Sequence, residues 1–213
     1  RQRRRAERFV SDTQISAGYM HSGYPLMTML DITDTMVDRE RITANGHHGV
    51  WGLFHEIGHN HQRREWTFRG TTEVTVNLFS LYAMEHICGL TRAGHPSIKP
   101  DLRERKTREY LAGGSDFEQW KRDPFLALYS YMQLQEAFGW EPFTRVFQEY
   151  GDLGEGARPG NDDEKRDQWL TRLSHAVDHD LGPFYTTWGL PTGEEARASL
   201  ADLPAWMPEG FPL

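Results

Sequence analysis

With one cysteine in 213 residues, Cys88, the chain can close no internal disulfide and build no cysteine-rich zinc site. Any metal it holds must therefore sit on histidine, aspartate or glutamate. Long apolar runs are also missing: charges interrupt every one well before the roughly 20 residues that a membrane-spanning helix needs. The chain shows no apolar segment of the signal-peptide kind, although its first residues read as the interior of a longer polypeptide, so this says little about secretion. There is no basic excess either. Residues 1–8 carry five arginines and one glutamate, while the other 205 residues hold 30 acidic against 19 basic side chains. That balance argues against nucleic acid as a partner. The arginine cluster reads as a solvated face or the edge of a larger domain, with a polybasic arm as the alternative.

What is present is a chain long enough for one domain, or for two lobes sharing a cleft. From Phe9 to Asp31, short β-like runs (QISAGYM, PLMTML) alternate with turns at Gly18, Gly23 and Pro25, which predicts strands or extended loops. After the Asn45-Gly46 turn the pattern predicts a helix to about Arg64. A second follows from Thr72 to about Cys88, stopped by Gly89. From Pro96 onward the reading is mostly helical, with prolines 124 and 142 and glycines 139 and 151 marking starts and stops. A polar loop, 154–163, precedes a helix to about Asp180, and one short helix is expected near 193–201. The predicted fold class is α+β, mostly helical: a metal-site lobe over 1–95 containing the strands, and a helical lobe over 96–213.

The segment GVWGLFHEIGHNHQ carries the chemistry. His55 and His59 stand four apart, so on a helix both imidazoles share one face and reach one ion at about 2.0–2.1 Å. In a chain with ten histidines the bare motif arises by chance roughly 4 times in 100. Its surroundings therefore have to add weight. Val50, Leu53, Phe54 and Ile57 form an apolar stripe opposite the histidines, which turns them toward a cleft. Gly52, on the histidine side, removes bulk where substrate or water would approach. Glu73 opens a helix that is apolar nearly all round, where a buried carboxylate needs a cationic partner; a carboxylate favoured by the helix dipole is the alternative. Asn77, one turn on, is placed to accept the second N–H of a metal-bound histidine, or is a polar residue without a role.

Two histidines and a glutamate with a fourth position open are the ligand set of a catalytic Zn²⁺ site. The implied chemistry is hydrolysis by metal-activated water, with Glu56 as general base toward the water and acid toward the leaving amine. Tyr19, His21 and Tyr24, in GYMHSGYP, are candidates for a rim or edge strand that holds substrate, with packing the alternative. Trp66 and Arg69 are candidates for a sugar platform. His175 and His179 repeat the four-residue spacing but lack the following glutamate, so they read as a polar helix face; His47 and His48 read as surroundings of the active helix.

The segments QISAGYMHSGYPLMT, WGLFHEIGHNHQRREWTF, TTEVTVNLFSLYAME and YMQLQEAFGWEPFTRVFQEY closely resemble the enhancin-like metallopeptidases, including the related channel-associated factors that bind a cold-sensing cation channel. The resemblance implies a zincin-like fold of the gluzincin type, with His55, His59 and Glu73 as zinc ligands and Glu56 as the catalytic carboxylate. It further implies a protein or glycoprotein substrate, plausibly O-glycosylated and mucin-like. Through the channel-associated factors it also implies an alternative: a catalytically silent binding or regulatory protein that keeps the peptidase fold. A mucinase-like member would be secreted or at the cell surface, a channel-associated relative intracellular or membrane-associated.

Overall fold

A computed structural model describes residues 6–43, 49–90 and 94–211. Helices dominate, with one small sheet, and the class is α+β. The Asn45-Gly46 turn, His47 and His48 lie outside the described residues.

The chain divides into two compact units, one of residues 2–62 and 72–100, the other of Arg63–Thr71 and Asp101–Leu213. This differs from a single cut at residue 95: residues 96–100 stay with the first unit, and the loop 63–71 belongs to the second.

In the first unit, β1 (Phe9–Asp12), β2 (Met20–His21) and β3 (Leu26–Met29) form a sheet of order β1-β3-β2. β1 runs parallel to β3 with Phe9 opposite Leu26, and β2 antiparallel with Met20 opposite Thr28. Alternation along β3 buries Leu26 and Thr28 completely while Met27 and Met29 stay half-buried, the two-residue period of a strand with one covered face. Two one-turn helices not foreseen from the sequence follow, α1 (Thr33–Val37) and α2 (Arg39–Thr43).

The helix α3 (Val50–His59) buries Val50, Trp51, Leu53 and Phe54, and packs extensively on α4 (Thr72–His86). Gly58 sets how closely the two approach: a Cβ there would lie 2.9 Å from Val76 Cγ2 and 3.0 Å from both Val76 O and Phe79 Cβ. Gly58→Ala is expected to cost about 1–3 kcal/mol through overpacking and to weaken metal binding by displacing α4. Urea unfolding and a chelator-competition titration check the two effects; unchanged values for both would contradict this packing.

The expected helix to Arg64 stops five residues early. After His59 the side chain of Asn60 leaves the helix for the backbone of Gly23, accepting from its N–H at 3.1 Å and donating to its carbonyl at 2.9 Å. Gln62 turns back beneath His59. Side-chain to backbone bonds of this kind compete with further helix.

The second unit holds seven helices among the described residues: α5 (Pro100–Ala112, its first residue shared with the first unit), α6 (Phe117–Arg122), α7 (Pro124–Phe138), α8 (Glu141–Asp152), α9 (Asp162–Ala176), α10 (Gly182–Thr187) and α11 (Glu194–Ala198). Their starts carry the expected signals. Asp123 accepts from the N–H groups of Phe125 and Leu126 ahead of Pro124, and Asn161 accepts from Glu164 N–H. The core is aromatic, with Trp120, Tyr131, Phe143, Tyr150 and Trp169 buried together. The sequence reading missed α6 and α10, each only six residues long.

Candidate metal centre

On α3, the four-residue spacing stacks the rings of His55 and His59 edge to face, with centroids 4.7 Å apart. The close approach of α4 brings Glu73, in its first turn, to the same point. His55 Nε2 lies 2.9 Å from Glu73 Oε2, His59 Nε2 lies 3.5 Å from it, and the two Nε2 atoms are 3.1 Å apart. A tetrahedral ion bonded at about 2.0–2.1 Å separates its ligand atoms by roughly 3.3–3.4 Å. The three observed edges bracket that spacing. Among the described residues, these three side chains form the one group of histidine, cysteine or carboxylate ligands close enough to share an ion. His175 and His179 do not.

The outer hydrogen bonds decide which ring nitrogen offers a lone pair. Asn77 donates from Nδ2 to the Glu73 carbonyl at 2.7 Å, which fixes its amide with Oδ1 toward His55 Nδ1 at 2.9 Å. His55 must then donate from Nδ1, and its Nε2 carries the lone pair in the neutral ring. His59 is held in the same manner. Gln62 donates from Nε2 to the Thr72 carbonyl and to Thr75 Oγ1, each at 2.7 Å, so its Oε1 accepts from His59 Nδ1 at 2.8 Å. Two lone pairs and a carboxylate oxygen thus converge on one point, an arrangement that repels itself until a proton or a metal ion enters. The donor set suits Zn²⁺, which imidazole and carboxylate both bind well.

Electrostatics agree with that crowding. Burial pushes the His59 imidazole toward its neutral form, but hydrogen bonds to Glu73 and Gln62, with the charges of Glu73 and Glu56, outweigh it and raise its pKa. Direct contact with His55 and then His59 holds the Glu73 carboxyl far below the usual carboxylate range.

Three expectations about this region need correction. The Glu73 side chain is 55% exposed, so burial is not what gives it a cationic partner; direct contact with both imidazoles does. Gly52 does not open space for substrate, because a Cβ there would meet the Met20 sulfur at 3.2 Å: it admits β2 against α3. His21 commits both ring nitrogens within its own loop, donating from Nδ1 to the Ser22 carbonyl at 3.0 Å and accepting at Nε2 from Ser16 Oγ at 2.8 Å. It has no N–H left for a substrate.

Of the other rim residues, Tyr24 is 48% and Tyr19 39% exposed. Burial and then a hydrogen bond to the Asp31 carboxylate push the Tyr19 hydroxyl up. Met20–His21 forms one of the two edge strands of the sheet among the described residues. Glu56 is half-buried on α3, and its charge is felt by His59; it makes no hydrogen bond or ion pair among the described residues. The sugar-platform reading fails at Trp66, which is only 3% exposed and packs on Phe147 and Tyr150 at centroid distances of 4.8 and 5.5 Å. A buried ring offers no face to a sugar. Arg69 is exposed, in the second unit, and its N–H donates to Asp162 at 3.0 Å.

The sequence reading missed Gln62 and His95. Gln62 was hidden by extending α3 through it; a glutamine three residues after a ligand histidine was the available signal. His95 packs its ring on Trp51, one turn before His55, at a centroid distance of 5.2 Å. Its Nδ1 accepts from Ser97 N–H, so Nε2 carries the proton, and burial followed by the charge of His55 lowers its pKa. Nothing in its sequence surroundings marks it.

The second N–H contacts give a prediction. Gln62→Leu and Asn77→Leu should each weaken metal affinity 10- to 100-fold, read by competition with a chromogenic chelator. Affinity equal to wild type in both would contradict the assigned outer contacts.

Comparison with known proteins follows the same lines. The family described as peptidase M60, enhancin and enhancin-like, matches residues 1–189. Bovine TRPM8 channel-associated factor 2 is 44% identical over 205 residues, covering 95% of this chain and 22% of that protein. The human protein of that name is 43% identical with the same coverage. The chain thus spans about a fifth of the length of these curated relatives. Among solved structures, a conserved protein of unknown function from Bacillus anthracis superposes with a TM-score of 0.78 at 27% identity, over 93% of this chain and 39% of that one. The catalytic module of the metalloprotease ZmpA from Clostridium perfringens does so with a TM-score of 0.62 at 21% identity, over 89% and 34%, a likeness of fold. Two histidines four apart on one helix, a carboxylate from the next at the same point, and a family match over most of the length lead to one assignment: the chain belongs to the peptidase M60 family of enhancin and enhancin-like proteins.

Proposed function

We propose that the chain is the catalytic part of a zinc-dependent endopeptidase that hydrolyses peptide bonds of proteins, O-glycosylated ones among them. The observation that carries this is the convergence of two imidazole lone pairs and a carboxylate oxygen, with both Nδ1–H groups already engaged by Asn77 and Gln62.

His55, His59 and Glu73 would hold the ion and leave its remaining position to solvent and substrate. When bound, Zn²⁺ supplies Lewis acidity, polarising a carbonyl and acidifying water. Glu56 accepts the proton of the attacking water and delivers it to the departing amine nitrogen. It suits that task because no neighbouring donor among the described residues claims its oxygens. Asn77 and Gln62 hold the rings in the tautomer that offers Nε2. The edge strand β2, with exposed Tyr24 in the turn after it, offers backbone N–H and C=O groups along which an extended peptide can pair.

The mucin-like substrate class rests on the family resemblance. Its test is incubation with an O-glycosylated mucin fragment, with and without chelator, read by mass spectrometry. Chelator-sensitive cleavage at defined peptide bonds is the expected outcome; an intact fragment would remove this substrate class.

The names of the curated relatives favour a second reading, in which the domain binds a protein partner and keeps zinc for structure or regulation. Under that reading the protein carries zinc, cleaves no glycoprotein offered, and binds its partner equally well after Glu56→Gln.

A further inference from the structure

A cavity of about 380 Å³ in the second unit lies between the start of the loop 63–71 and the polar loop before α9. Arg64, Arg158 and Lys165 line it together with Glu65, Glu155 and Gly160. Its size is at the lower end for small-molecule sites. Nothing in the hydrolytic chemistry above uses it.

The floor is a carboxylate. The Glu65 side chain is 8% exposed, and its ion-pair partner among the described residues is Arg158, whose Nε lies 3.5 Å from Glu65 Oε1 without forming a hydrogen bond. That contact orients the guanidinium and leaves its terminal N–H groups without an acceptor among the described residues. Arg64 forms no ion pair or hydrogen bond among them either. Lys165 gives two of its three N–H donors to the Thr67 carbonyl at 3.1 Å and to Asp162 at 2.9 Å, and keeps one. Three cations face two carboxylates around a concave space, and the free N–H groups of the two guanidiniums outnumber the carboxylate oxygens of Glu65 and Glu155. The complement is a ligand rich in acceptors and negatively charged. Planar guanidinium forks suit carboxylate, sulfate and phosphate oxygens in particular.

We propose that this cavity binds a small oxyanion, as a free ion or carried on a sugar, with Arg158 and Arg64 as its principal contacts and Glu65 positioning Arg158. The carboxylate holding Arg158 is itself buried, which separates this arrangement from a scatter of surface charges. Neither the metal centre nor any turnover is required, so the proposal stands or falls separately from the peptidase reading.

The test is a titration of the isotope-labelled protein, followed by NMR, with inorganic sulfate, inorganic phosphate, glucuronate and, as the neutral control, glucose. Saturable shifts at residues 155–160 and 64–65 are expected with the anions and not with glucose, weakening as sodium chloride is added. Glucuronate tighter than sulfate would assign the site to an anionic sugar; equal affinities would assign it to the free ion. Arg158→Gln and Arg64→Gln should each weaken binding about tenfold, with thermal unfolding confirming that both variants fold; exposed Arg64 can be replaced without disturbing the core. No saturable shifts with any anion, equal response to glucose, or wild-type affinity in both variants would overturn the proposal.

Discussion

Glu56→Gln is expected to lower proteolysis by about 10²–10⁴-fold while metal content stays at the wild-type level. Glutamine keeps the size and hydrogen-bonding reach of the side chain but cannot accept the proton of an attacking water. The atoms proposed to hold the ion belong to His55, His59 and Glu73, so substitution of Glu56 removes none of them. Two measurements on one preparation are needed: the rate of cleavage of a substrate found by mass spectrometry, and zinc per chain. Activity lost together with the metal would mean Glu56 acts structurally. Activity retained with the metal would take the base away from Glu56 altogether.

His59→Ala should abolish the response of stability to zinc. A ligand that binds only the folded state stabilises it by about 4 kcal/mol at a thousandfold excess over its dissociation constant. The wild-type melting temperature should therefore rise on adding Zn²⁺ to chelated protein. The variant keeps one imidazole and one carboxylate, too few for a tight site, and its melting temperature should not move. The control comes from the protein itself. In the chelated wild type their mutual contact raises the pKa of His59 and lowers that of Glu73. Glu73 contributes stability that is present above its unfolded pKa and lost as pH falls through the depressed folded one. His59 contributes stability that is present below its unfolded pKa and lost as pH rises through the raised one. His59→Ala removes that pair as well, so it should also flatten this part of the pH dependence. An equal zinc-induced shift in both proteins would place the ion elsewhere.

The convergence of His55, His59 and Glu73 was legible because its geometry is local. Four residues of helix carry His55 to His59, and the next helix begins close enough for its first turn to bring in Glu73. Asn77 followed from the same periodicity. What could not be read depends on where elements stop and how closely they pack. Gln62 reaches His59 only because α3 ends at His59, and that ending depends on Asn60 meeting Gly23, 37 residues earlier in the chain. Gly58 reads as an ordinary helical glycine until α4 is laid against it. Trp66 looks like an exposed aromatic in a charged loop, and is buried by α8, some 80 residues downstream. His21 has the composition of a substrate contact, yet Ser16 and the Ser22 carbonyl occupy it. In each case a partner distant in sequence, or a turn too short to predict, decided the outcome.

The most direct test is an anomalous diffraction map of crystals grown with stoichiometric Zn²⁺. The ion is expected to lie about 2.0–2.2 Å from Nε2 of His55, Nε2 of His59 and a carboxylate oxygen of Glu73, with the Nδ1 contacts to Asn77 and Gln62 intact. A peak elsewhere, or none at these three atoms in protein carrying one zinc per chain, would contradict the account.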